Sequence, residues 1–222
     1  MIANKNGKVF FAYGEEEIGY LKQKDKVLGA VIDQIGLLRR EVNPDLFSAT
    51  IHAIIGQQIA IKAQRTVWKR MNELLGVVSA EAILDHSICE LQAVGMTFKK
   101  AKYIRAFAQR VLSGEFAIDT LRNMSDAEVV CTLSALPGIG VWTAEMLMLF
   151  SMQRPNVMSY SDVAIHRGLR MVHHHRRIDK KLFEKYRRRY SPYCSVASLY
   201  LWDVAVGAIP EMRDYAPKRK LK

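Results

Sequence analysis

The residues with the most specific chemistry in this 222-residue sequence are Leu136-Pro137-Gly138-Ile139-Gly140. They lie between a helix with a capping-box signal, Ser125 followed by Glu128, and an apolar helix that starts at Val141. Pro137 ends the first helix, while Gly138 and Gly140 permit backbone conformations closed to other residues and leave no side chain in the way. Unpaired N–H groups at the start of the second helix would then face outward, where the helix dipole favours negative charge. A DNA phosphate could be held there without any reading of base sequence, and Thr143 in the first turn would add a hydroxyl donor. The same residues also suit a plain connector whose glycines only allow close packing. Two other groups are less informative. His173-His174-His175, with Asp179 one helical turn on, invites a metal, but adjacent histidines point different ways on a helix and two ligands do not make a catalytic site. Cys89, Cys131 and Cys194 are odd in number and far apart, and read as packed thiols rather than nucleophiles, disulfide partners or cluster ligands.

The charge distribution points to a polyanion as partner. The formal net charge is +11, from 33 Lys and Arg against 22 Asp and Glu. Residues 166–222 account for +10 of it, with 15 basic and 5 acidic side chains. Arg176-Arg177, Lys180-Lys181, Arg187-Arg188-Arg189 and Lys218-Arg219-Lys220 form the dense runs. Nucleic acid is the commonest partner for such an asymmetry, although a solvated helix face with a frayed basic tail has the same composition.

An all-α architecture of about ten helices follows from apolar residues spaced at helical period. Residues 46–72 read as one buried helix, and Gly56 within it marks a place where something packs closely. Shorter helices follow near 79–85 and 87–93, then longer ones at 98–113, 125–135 and 141–152. The last three fall near 163–172, 179–190 and 195–208, and residues 1–24 are a short strand at Lys8–Tyr13 or irregular. No apolar stretch approaches the roughly 20 residues of a membrane span, and no signal-peptide core precedes Gly14. These features imply no membrane association and a reducing, cytoplasmic setting (at the nucleoid in a bacterium).

Leu133 to Leu147, with the glycine turn and Thr143-Ala144, resembles the helix-hairpin-helix motif of DNA repair glycosylases. Further matches are Ile54-Ile55-Gly56-Gln57-Gln58, Gly95-Met96-Thr97-Phe98-Lys99-Lys100-Ala101, Ser159-Tyr160-Ser161-Asp162-Val163 and Leu199-Tyr200-Leu201-Trp202. Together they resemble the 3-methyladenine-DNA glycosylase II branch of that superfamily over roughly residues 25–210. The resemblance implies two helical subdomains flanking a DNA-binding cleft: a central one at about 46–152 and a second from about 25–45 plus 153–210. Residues 211–222 remain as a basic tail.

By the same resemblance Asp162 is the essential carboxylate, placed to stabilise an oxocarbenium-like sugar and orient the attacking water. Asp162 also suits the N-cap of the helix beginning at Val163. Trp142, Trp202 and Tyr160 are candidates for a pocket in which aromatic faces stack on a flipped cationic base, though each also suits a core. Phe98 and Gln58 match side chains that fill the gap left by the extruded base; Phe98 equally suits a hydrophobic staple. Trp142 stands where strand-cutting members carry a lysine, which implies base removal without lyase activity. No four-cysteine cluster and no N-terminal β-rich domain accompany the motifs. No cofactor is required; the resemblance allows a structural monovalent cation on the carbonyls of Ser134, Leu136 and Ile139. The expected substrate is double-stranded DNA containing alkylated bases, acted on by a monomer. A non-catalytic helix-hairpin-helix DNA-binding module, or a glycosylase for another lesion, is the alternative.

Overall fold

Residues 8–217 are described by the structure, a computed structural model; the basic run Lys218-Arg219-Lys220 lies outside them. The first strand β1 (Val9–Phe10) precedes α1 (Glu15–Lys24), α2 (Lys26–Ile35) and β2 (Glu41–Val42). Then come α3 (Leu46–Gly56), α4 (Ile61–Leu75), α5 (Ala80–Leu84), α6 (Ile88–Ala93) and α7 (Phe98–Leu112). A 3-10 helix at Ile118–Asn123 leads to α8 (Asp126–Ser134), α9 (Val141–Phe150), α10 (Val163–His173), α11 (Lys180–Tyr190) and α12 (Cys194–Ala205). The fold is all-α apart from the two-residue antiparallel pair β1–β2, and the described residues hold twelve α-helices rather than about ten. No helix among them is long and apolar enough to cross a membrane.

The chain separates into two compact units, one of residues 43–152 and one built from the described residues before and after it. In the 43–152 unit α3 is almost wholly buried and packs on α4, α7 and α9. Phe47 of α3 stacks on Phe107 of α7 at 5.3 Å. Ser79, Ser87 and Ser125 cap α5, α6 and α8, with reciprocal capping boxes at the last two. Residues 46–72 are not one helix, because the backbone breaks after Gly56 and Gln58 takes a left-handed conformation with φ 56°. The close neighbour of Gly56 is the Gln64 side chain, which would collide with any Cβ there.

In the other unit α10 and α12 come together at Gly168, where a Cβ would collide with the backbone carbonyl of Leu201. The N-terminal segment is not irregular from Glu15 onward: α1 and α2 are two helices joined at Asp25. The Asp25 carboxylate caps α2 through Val27 N and Leu28 N (both 3.1 Å) and accepts from Arg189 (2.8 Å) and the Tyr190 hydroxyl (3.1 Å). Burial pushes this carboxyl up, but the Arg189 and backbone hydrogen bonds outweigh it and hold it below its usual range. Since Tyr190 donates to Asp25, it accepts from His173 Nε2 at 2.9 Å. Burial lowers the His173 pKa to about 4, against the pull of Asp25. His175 bonds the Tyr186 hydroxyl at 2.7 Å, so the histidine run supplies partners to buried tyrosines. Among the cysteines only Cys194 is a packed thiol, and burial raises its pKa to about 12; Cys89 and Cys131 are exposed.

Candidate active site

Pro137 and Gly138 turn the chain between α8 and α9, and the two glycines of the turn differ in kind. Gly138 has φ 85°, and a Cβ on it would strike the Tyr103 ring. Gly140 has φ −97°, an ordinary extended value, and open space where a Cβ would stand. It is therefore not needed for its conformation, contrary to the sequence reading; what it contributes is a bare approach to the start of α9. No side chain caps α9, which leaves its positive end to a ligand from outside. Thr143 does not extend that surface. It is buried, with its hydroxyl 3.5 Å from Gln57 Nε2, because the packing of α9 turns it inward. Ser134 and Leu136 bracket Ala135 at the end of α8, and Leu136 O accepts from Ile139 N at 3.1 Å. A carbonyl keeps a second lone pair, so Leu136 O can still take a further partner.

Three of the candidate DNA-contacting or pocket side chains of this unit are exposed. Phe98, first residue of α7, is 53% exposed, so it does not serve as a hydrophobic staple. Trp142 is 44% exposed, too open for a core aromatic, and Gln58 is exposed on its left-handed turn beside Ile59 and Ile61.

Asp162 belongs to the other unit and caps α10. Its Oδ1 accepts from Ala164 N (2.8 Å) and Ile165 N (3.0 Å), and the residue is only 7% exposed. The loop leading to it is fastened by residues that the sequence reading missed. Ser195 donates to Arg154 O (2.5 Å) and accepts from Val157 N (3.0 Å), while Ser198 donates to Val157 O at 3.2 Å. His166 Nε2 donates to Tyr160 O at 2.7 Å, and its ring stacks on buried Phe183. Tyr160, 42% exposed, packs edge-on against both rings at 5.1 Å. Trp202 is half-buried on α12, the helix against which α10 packs. The structure thus places Tyr160, Asp162 and Trp202 in one unit, and Gly138, Gly140, Thr143, Trp142, Phe98 and Gln58 in the other. No residue-type signal marks Ser195, Ser198 or His166, whose partners lie up to 41 residues away.

The basic run on α11 divides by partner. Arg189 is committed to Asp25 and Arg187 lies 3.6 Å from Glu184, while Arg188 is exposed and has no carboxylate partner among the described residues. Arg170 forms a bidentate pair with Asp214.

The model of the HhH-GPD superfamily of base excision DNA repair proteins matches residues 51–192. The chain belongs to that superfamily. It is 28% identical over 161 residues to DNA-3-methyladenine glycosylase 1 of Schizosaccharomyces pombe, covering 70% of this chain and 71% of that one. It is 25% identical over 173 residues to DNA-3-methyladenine glycosylase 2 of Escherichia coli, spanning 71% of this chain but 57% of the relative. The crystal structure of the DNA-3-methyladenine glycosidase of Bacillus halodurans superposes with a TM-score of 0.82 at 31% identity, covering 93% of this chain and 97% of that one.

Proposed function

We propose that this HhH-GPD protein is a monofunctional DNA glycosylase that removes alkylated purines of the 3-methyladenine type from duplex DNA. The observation that carries the proposal is the buried Asp162 carboxylate, held by two backbone N–H groups at the start of α10 with the exposed Tyr160 ring two residues before it. The uncapped start of α9 holds a phosphate beside the lesion, and the lesion swings out of the helix. Its cationic ring stacks on aromatic faces, for which Tyr160, Trp142 and Trp202 are the candidates.

A carboxylate near C1′ stabilises the charge that develops as the N-glycosidic bond breaks. The bonding pair leaves with the base, which departs neutral because alkylation had made it cationic. Water adds to C1′ and loses a proton toward Asp162, giving an abasic site. Trp142 cannot form a Schiff base, which supports base removal without strand cleavage. The protein acts as a monomer, and a monovalent cation on the Ser134, Leu136 and Ile139 carbonyls, when bound, would stiffen the turn.

One observation favours the non-catalytic reading, namely that the capping bonds alone explain an aspartate at position 162. Incubation with methylated duplex DNA, followed by alkali to cut abasic sites, separates the two. Alkali-dependent breaks at alkylated purines are expected. No breaks would leave a DNA-binding module, and breaks without alkali would indicate a lyase.

A further inference from the structure

Three segments of the 43–152 unit that the family resemblance assigns to DNA come from distant parts of the sequence. They are the turn after α3, the start of α7 and the glycine turn at 136–140. Two side chains join them. Lys100, in the first turn of α7, sends its Nζ to Ile55 O at 2.8 Å and Gln57 O at 2.6 Å. A helix end leaves such carbonyls without N–H partners, and a cation there also meets the negative end of the helix dipole. Burial lowers the Lys100 pKa, yet among the described residues no carboxylate accompanies the amine, and its hydrogen bonds go to the two carbonyls. Gln57 continues the chain of contacts, its Nε2 donating to Gly138 O at 2.5 Å. Tyr103, three residues beyond Lys100 on the same helix, lies against Gly138 so closely that no Cβ could be added.

These contacts flank Gln58. It is exposed, and its φ of 56° is a conformation that a non-glycine residue keeps only when its surroundings enforce it. The carbonyl of Gln57 belongs to the peptide that enters this conformation, and Lys100 holds that carbonyl in place. Phe98 projects from the helix that carries Lys100.

We propose that Lys100 and Gln57 are positioning residues. They lock the Gln58 turn and the Phe98 end of α7 to the glycine turn, so that backbone grip and gap filling occur in one fixed register. The proposal rests on Gln58 and Phe98 as gap-filling side chains, and does not require Asp162 to be catalytic.

The test compares binding of two otherwise identical duplexes, one intact and one carrying a single tetrahydrofuran abasic site, by fluorescence anisotropy. The phosphate grip serves both, whereas gap filling serves only the second. For Lys100→Met the ratio of the two affinities is expected to fall about tenfold, the worth of a charge-assisted hydrogen bond. Lys100→Arg, which keeps charge and donors, restores most of the ratio. Gln57→Ala removes the tie to Gly138 without changing charge; it is expected to lower the ratio by about threefold, and carries the test if Lys100→Met does not fold. Equal losses on both duplexes would assign Lys100 and Gln57 to general charge or folding and overturn the proposal. An unchanged ratio, or an unsubstituted protein with no preference for the abasic duplex, would overturn it too. An Asp162→Asn variant that still excises bases leaves this ratio untouched, so the two readings fail separately.

Discussion

The two units differ in what their proposed functional surfaces are made of. In the 43–152 unit the surface proposed to meet a phosphate is backbone: an uncapped helix start, a bare Gly140 and a Gly138 pressed onto Tyr103. In the other unit the Asp162 loop is held by side chains that reach it from elsewhere, namely Ser195, Ser198 and His166. A phosphate is recognised by direction and charge, so main-chain N–H groups suffice. A carboxylate that must meet one carbon of a sugar needs a fixed side chain, and fixing it takes partners packed around it.

Substitutions on the side-chain-held unit should break it most strongly. Asp25→Ala strands Arg189, Tyr190 and the N-terminus of α2, and is expected to cost roughly 3–5 kcal/mol of folding stability by denaturant titration. The same cluster sets the acid sensitivity. His173 is held neutral in the folded state with a pKa of about 4, so below about pH 6.5 the unfolded chain binds the extra proton. The depressed Asp25 carboxyl acts in the same direction as pH falls further, because the unfolded chain protonates there first. Melting temperature should therefore decline steadily from pH 6.5 to pH 4. A flat profile would show that the cluster contributes nothing.

The two glycines of the turn should respond differently to a methyl group. Gly138→Ala meets both an unfavourable φ and the Tyr103 ring, and should cost roughly 2–4 kcal/mol of stability. Gly140→Ala should cost only about 0.5–1 kcal/mol, since its φ suits alanine and its Cβ enters open space. On the proposed function that Cβ crowds the phosphate held at the start of α9, so the Gly140 variant should lose DNA affinity while staying folded. The smallest effect is expected at Arg188. Its replacement by Ala should leave melting unchanged and reduce the salt dependence of DNA binding by about one counterion, whereas Arg189→Ala should destabilise the protein.

The same contrast explains what could be read from the residues. The glycine turn, the capping box at Ser125 and the eight helices after residue 79 are written in local order, so spacing revealed them, although the box at Ser87 went unread. The break at Gln57–Ala60 was not legible. Ile59 and Ile61 continue the apolar pattern of α3 but are exposed, and the bond from Lys100 to Gln57 O spans 43 residues. The junction of α1 and α2 at Asp25 escaped for a similar reason, because its partner Arg189 lies 164 residues away. Asp162 stood out only through the family resemblance, since an aspartate before an amphipathic helix is by itself a cap. The serines that hold its loop carried no signal, because a buried hydroxyl looks in sequence like any other.

On the proposed function the Asp162 carboxylate does chemistry beyond capping α10. Asn caps a helix nearly as well as Asp, so Asp162→Asn separates the two roles in one variant. Single-turnover excision from methylated duplex DNA, measured together with melting temperature, should show base release reduced by at least about a hundredfold with melting nearly unchanged. Excision at the unsubstituted rate by a folded Asp162→Asn protein would contradict the account.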